Sequence, residues 1–329
     1  MLVLKRVQVE ALLDLDLLID ALATAMADLS AGRASVPPRI AAFVAESGGL
    51  LGAMPGYVPS VGVLMSKLVT LFPGNAGTPL PTHQAVIAMF DPETGRPTAL
   101  LDGTAITAIR TGAGSALSAR LLAREDSAVL AILGTGVQAR SHVRAMLRVR
   151  PIKEVRIAGR DPARAAALAA ELSATTDAEV HAVSSYREAL NGTDVACATT
   201  HAAEPVVRRE WLAPGVHVTS VGLNQTGREV DAATIADALV VVESRDAALA
   251  PFPAGSNDLL MPIRDGVITA DHVYAEIGEL VAGTRPGRQS TEDITLYKSV
   301  GVAVQDAAAA ALVVAAAQAQ GIGEHITLE

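Results

Sequence analysis

The chain has 329 residues, 50% of them apolar and 19% charged, with a formal net charge of −9. That length allows two domains with sizeable cores, and that balance is the mix of an ordinary globular protein. The acidic excess argues against a nucleic-acid surface, which needs a basic face, but leaves room for a small anionic substrate held by a few cations.

One cysteine, Cys197, excludes a disulfide framework and makes a reducing cytoplasm the default. The first residues lack the order of a secretory signal, in which charge precedes a long apolar core. The Ala-rich run 307–319, interrupted around its edges by Gln305, Asp306 and Gln318, is too short for a membrane span and reads as a tightly packed helix.

Residues 9–31 carry apolar side chains at helical spacing, with Gly32 as a stop. Residues 39–45 and 49–54 read as two strands joined through Glu46-Ser47-Gly48, and 61–72 as a longer one. Strands at 83–90 and 97–101 flank the turn Asp91-Pro92-Glu93-Thr94-Gly95. This front region is a set of mainly antiparallel strands. A helix over 102–123 follows, its Gly112, Ala113, Gly114 and Ser115 small enough for close packing.

From 128 the rhythm changes to alternating strands and helices. Strands are expected at 128–133, 154–159, 179–183, 194–199, 217–222 and 238–243, which implies a parallel, doubly wound sheet. A loop over 285–293 and a long helix over 295–320 close the chain. Ligands of such sheets bind beyond the carboxyl ends of the strands, here at 134–138, 199–201 and 222–226.

The first of those strands runs straight into Gly134-Thr135-Gly136-Val137-Gln138-Ala139 and then a helical pattern over 140–149. That is the strand, turn and helix setting of a dinucleotide fingerprint. Gly134 permits the tight turn, Gly136 lets the main chain approach a pyrophosphate, and Ala139 lets the helix pack on the strand. The alternative is a plain glycine turn. The next strand ends at Arg160-Asp161, where a side chain meets the adenosine ribose. Arg160 suits a 2′-phosphate and favours NADP(H); the neighbouring Asp161 keeps NAD(H) open.

Lys67 lies mid-strand among apolar neighbours, on one face with Val63, Met65, Val69 and Leu71. It either snorkels to solvent or pairs with a substrate carboxylate and donates a proton; its surroundings favour the second. Arg110 is the one charge between Thr104 and Ser118 and suits bidentate grip of a carboxylate. Arg39, after Pro37-Pro38, has both the surface and the pocket reading open. The histidines show no metal spacing, so no metal is expected. His201 is either structural or borders the nicotinamide. Hydride transfer, the cofactor's own chemistry, is the reaction these features suit.

Several segments together are more specific than the glycine turn. They are Met54-Pro55-Gly56-Tyr57, Lys67-Leu68-Val69-Thr70-Leu71-Phe72-Pro73-Gly74-Asn75, Thr107-Ala108-Ile109-Arg110-Thr111, the Gly134 turn, and Asp293 through Gly301. Along nearly its whole length the chain resembles the ornithine cyclodeaminase/μ-crystallin family. The resemblance implies a homodimer in which a strand-rich domain, 1–118 plus 300–329, supplies the subunit contact and substrate pocket. A Rossmann domain, 119–299, is inserted into it. It implies that Arg39, Lys67 and Arg110 hold a substrate carboxylate with Met54 beside them. Gly134, Thr135, Gly136, Val137, Gln138, Arg160, Asp161, Thr199, Thr200, Val221, Gly222 and Lys298 make up the expected dinucleotide site.

Cyclodeaminases of the family carry a glutamate where Gly52 stands and an aspartate where Asn224 stands. Neither replacement handles a proton at neutral pH. The family's alanine dehydrogenases also use that aspartate, while its ketimine reductases do without it. The expectation is therefore an NAD(P)H-dependent reductase of the C=N bond in a small, cyclic α-imino acid, with Lys67, Arg110 and Asn224 catalytic. Alternatives are an ornithine or lysine cyclodeaminase with bound NAD, an amino-acid dehydrogenase, and a non-catalytic ligand binder.

Overall fold

The computed structural model describes residues 1–327, and the chain separates into two compact units. One comprises Met1–Arg110 and the segment from Gly301 onward; the other is Thr111–Val300. The expected boundary at 118/119 therefore moves to 110/111, inside the helix Gly103–Leu122. Its later turns belong to the second unit: Ser115 Oγ lies 2.9 Å from His142 Nε2, and Ser118 Oγ lies 3.1 Å from His217 Nε2. Positions 328 and 329 of the expected first domain lie outside the described residues.

The first unit is built on strands β1 (Leu2–Leu4), β2 (Ile40–Val44), β3 (Gly49–Val58), β4 (Val63–Leu71), β5 (His83–Phe90) and β6 (Pro97–Asp102). Strands β2 to β6 form an antiparallel meander, and β1 adds parallel to β6. Alternation along β4 buries Val63, Met65, Lys67 and Val69 on one face. The closing helix Ala303–Gln320 is buried along Ala303–Ala310, Val313 and Ala317. A side chain at Gly56 on β3 would stand 3.1 Å from the Ala303 methyl, so small residues set this close contact. The helix expected over 9–31 is two helices, Arg6–Leu12 and Leu15–Ser30. Asp14 divides them because its carboxylate accepts from Leu17 N–H at 2.9 Å, capping the second.

The second unit contains β7 (Val129–Leu133), β8 (Glu154–Ala158), β9 (Glu179–Ala182), β10 (Val195–Ala198), β11 (His217–Ser220), β12 (Leu239–Val242), β13 (Val273–Glu276) and β14 (Thr295–Lys298). They make one eight-stranded parallel sheet in the order β13-β12-β14-β11-β10-β7-β8-β9. The chain runs outward from β7 through β8 to β9, then returns to lay β10 on the other side of β7. Ligands of open sheets bind at that switch point. A short β15 (Glu324–His325) pairs with β1 in the first unit.

A further expectation is corrected here. Residues 295–298 are not the start of the closing helix. They form β14, wholly buried and paired in parallel with both β11 and β12, and the helix begins at Ala303. Gly301, at φ +76°, makes the break between them. No helix among the described residues is long and apolar enough to cross a membrane.

Candidate active site

In the first unit β4 carries Lys67 between Met54 of β3 and Ile87 of β5. Lys67 retains 2% of its surface and Met54 5%. The lysine ammonium meets a carboxylate, Asp306, at 2.6 Å. Arg110, equally buried, donates from Nε to the other oxygen of Asp306 at 3.1 Å and from Nη1 to Gln305 Oε1 at 2.5 Å. Arg39 donates from Nη2 to Gly301 C=O at 2.7 Å, on the turn that opens the same helix. The structure thus gathers Arg39, Lys67, Arg110 and Met54 into one unit, with Asp306 and Gln305 added.

The electrostatics follow from burial. Desolvation brings the Lys67 ammonium down to about 8, with Arg110 and Arg39 pushing the same way and Asp306 opposing them. Burial alone would raise Asp306, but Arg110 and Lys67 hold its carboxyl below the usual range. His83, at the start of β5, is brought to about 4 by burial and then by the Lys67 and Arg110 charges, so its imidazole is neutral at pH 7. Three cations against one carboxylate leave the cluster positive, which suits an organic anion. An ammonium brought to about 8 is suited to give up a proton.

Sequence reasoning missed Asp306, Gln305 and His83. The available signal was the polar pair Gln305-Asp306 inside an otherwise apolar helix, which poses the same question of partners as Lys67 does.

In the second unit the Gly134 turn has the geometry a pyrophosphate needs. Gly134 sits at φ +126°, and a Cβ there would lie 2.7 Å from Thr199 Oγ1, so the ends of β7 and β10 touch through it. Gly136 differs. Its φ is −92°, and a Cβ there would meet no atom of the described residues within 4 Å. Gly136 is also the N-cap of helix Val137–Val149 and offers no side chain to its first N–H groups. Open space before exposed N–H donors is what a phosphate group fills, so the residues present fit a dinucleotide. Thr135 packs under Gly159 at the tip of β8, where a Cβ would come within 2.7 Å of its methyl. Ala139 is fully buried, Val137 is exposed, and Gln138 C=O meets His142 Nδ1 at 2.7 Å.

Other expected residues act on the protein itself. Asp161 caps helix Pro162–Ser173, accepting from Ala163 N–H at 2.9 Å and Arg164 N–H at 3.3 Å, while Arg160 is exposed beside it. Thr199 Oγ1 donates to Leu133 C=O. Lys298 is fully buried and gives its ammonium to Gly222 C=O, Ser220 Oγ and Asp258, at 2.7, 2.9 and 2.7 Å. Thr200 N–H and Oγ1 donate to Glu229 Oε1, while Ser220 Oγ and Gly222 N–H donate to Oε2. Glu229, Asp258 and Lys298 therefore anchor the loops after β10 and β11, including Val221. Glu229 and Asp258 were not foreseen, because only the fold brings them to Lys298. Asn224 spends its amide on the same loop, accepting from Thr226 and Gly227 N–H and donating to His201 C=O. Among the described residues no group of three His, Cys, Asp or Glu is placed to hold a metal.

A model of the ornithine cyclodeaminase/mu-crystallin family matches residues 1–321. The mouse (Mus musculus) ketimine reductase mu-crystallin is 39% identical over 301 residues, covering 90% of this chain and 91% of the mouse protein. The Thermococcus litoralis Δ1-pyrroline-2-carboxylate reductase, solved with NADH and L-proline, superposes with a TM-score of 0.94 at 38% identity, over 99% of this chain and 100% of that one. An archaeal alanine dehydrogenase dimer with bound NAD superposes with a TM-score of 0.92 at 32% identity, over 100% and 99%.

Proposed function

The chain belongs to the ornithine cyclodeaminase/mu-crystallin family, and from that premise we propose that it reduces the C=N bond of a small α-imino acid to an L-amino acid. The observation that carries this is the buried Lys67–Asp306–Arg110 cluster, joining β4 to two helices, with a glycine, Gly52, on β3 where a cyclodeaminase needs a carboxylate. Val69 and Ile40 stand about Gly52. Relatives reported to reduce ketimines and Δ1-pyrroline-2-carboxylate point the same way.

Arg39 and Arg110 hold the substrate carboxylate, and Met54 packs beside it. Lys67 holds a proton at Nζ and gives it to the substrate nitrogen. Asp306 keeps Lys67 and Arg110 in place. When bound, a nicotinamide dinucleotide supplies the hydride that reaches the imine carbon. Gly134, Thr135, Gly136, Val137 and Gln138 form its pyrophosphate cradle, while Thr199, Thr200, Val221, Gly222, Lys298 and Asn224 shape the loops around it. Arg160 favours a 2′-phosphate, hence NADP(H); NAD(H) is the alternative, and NADH is the nucleotide in the T. litoralis structure.

The protein works as a homodimer. The sheet face opposite Lys67 sets Ala53, Leu68 and Val86 side by side across β3, β4 and β5, with Leu68 and Val86 40% and 43% exposed. Such a face suits a second copy, and the archaeal alanine dehydrogenase is a dimer. The buried Cys197 fits a reducing cytoplasm.

The test is a panel of cyclic imino acids, and of keto acids with amines, assayed with NADPH and NADH beside L-ornithine. The reading expects nucleotide oxidation with Δ1-pyrroline-2-carboxylate or Δ1-piperideine-2-carboxylate. Ornithine yielding proline and ammonia with no net change in nicotinamide absorbance would establish the lyase instead.

A further inference from the structure

Gln305 is fully buried, one residue before Asp306 at the start of helix Ala303–Gln320. Two donors fix its amide. Arg110 Nη1 donates to Oε1 at 2.5 Å, and Val302 N–H approaches the same oxygen at 3.4 Å. Neither group accepts a hydrogen bond, so a flipped amide would set donor against donor twice. Nε2 is therefore the remaining corner of the amide, and among the described residues it has no hydrogen-bond partner. Native proteins rarely bury a donor that nothing satisfies. This one belongs to the cluster that already gathers Lys67, Arg110 and Asp306, and whose excess charge attracts an anion.

We propose that Gln305 is a substrate-binding residue, its Nε2 donating to an oxygen of the carboxylate that the neighbouring cations attract. The inference rests on the function proposed above and adds a neutral donor to the charged ones. A guanidinium and an amide joined by a hydrogen bond then present adjacent donors. That arrangement favours a planar carboxylate, with its two acceptor oxygens, over an ester or alcohol.

The test is calorimetric titration of pyrrole-2-carboxylate, a flat acid with no imine to reduce, into the full chain saturated with NAD+. Gln305→Met removes both polar atoms at similar length. Gln305→Glu keeps the acceptor that Arg110 and Val302 use and replaces the donor. Both variants are expected to weaken binding about tenfold or more, the scale of one lost hydrogen bond to a charged group, with NAD+ affinity within about twofold. Glutamate also sets a negative charge against the ligand, so loss in Gln305→Glu is read only beside loss in the uncharged Gln305→Met; wild-type affinity in Gln305→Glu overturns the proposal. So does wild-type affinity in Gln305→Met, and if that variant fails to fold, wild-type affinity in Gln305→Glu still overturns it. Arg110→Met separates the two claims. Loss there with none in the Gln305 variants overturns this inference and leaves the proposed function standing. No binding by the unaltered chain overturns both.

Discussion

A lysine at 2% exposure must have a counter-charge, and Lys67 shares its one carboxylate, Asp306, with Arg110. Burial, opposed by Asp306 and reinforced by Arg110 and Arg39, brings the ammonium to about 8. If Lys67 supplies the proton, the reductive rate falls as pH rises through about 8, by about tenfold per unit beyond it. Asp306→Asn removes the group that opposes deprotonation, so the falling limb moves to lower pH in a rate profile. Lys67→Ala or Arg110→Ala is expected to lower turnover about a hundredfold or more while dinucleotide affinity, measured by fluorescence titration, changes little. A parallel loss of nucleotide binding would remove both from the substrate side. The two glycines of the turn separate in the same manner. Gly136→Ala meets no atom of the described residues, so thermal stability is retained while nucleotide affinity falls; Gly134→Ala meets Thr199 and is strained at φ +126°, so stability falls too.

At the level of elements, stability is tied to neutral histidines: besides His83 in the first unit, two lie buried in the second. His142 lies between Ser115 Oγ and Gln138 C=O, and His217 between Ser118 Oγ and Thr295 Oγ1. Burial brings them to about 4 and about 3, from 6.5. Between those values and 6.5 the unfolded chain binds more protons than the folded one, so stability rises with pH across that window. Denaturant midpoints are expected to fall steadily from pH 6.5 towards pH 4, and His142→Gln to flatten part of that slope. Strand β14 shows where local pattern ends. Alternation along β4 and the apolar run of β7 are visible in the residues themselves, and with them came Lys67 and the glycine turn. Thr295–Lys298 is four residues long, and what makes it a strand is pairing with β11 and β12, both distant in sequence. The same holds for Asp306 against Lys67 and for Glu229 and Asp258 against Lys298. A buried charge announces that it needs a partner, but only the fold says which.

At the scale of the whole molecule the proposed substrate and nucleotide sites fall in different units. The first holds the cationic cluster and the apolar outer sheet face, and the second the dinucleotide turn. If the chain dimerises through that face as proposed, Leu68→Glu converts the sedimenting species to half its mass, with thermal stability of the separated chain little changed; a dimer that survives the substitution would remove the face from the contact. Arg160→Ala is expected to weaken NADPH several-fold more than NADH, and equal effects would undo the preference for the 2′-phosphate. The measurement closest to the central claim follows the hydride itself. With Δ1-pyrroline-2-carboxylate and reduced dinucleotide deuterated on the transferred side of nicotinamide C4, each oxidised nucleotide should be matched by one L-proline carrying deuterium at Cα, and Lys67→Ala should form almost none. L-Proline without that label, or nucleotide left unoxidised, would contradict the account.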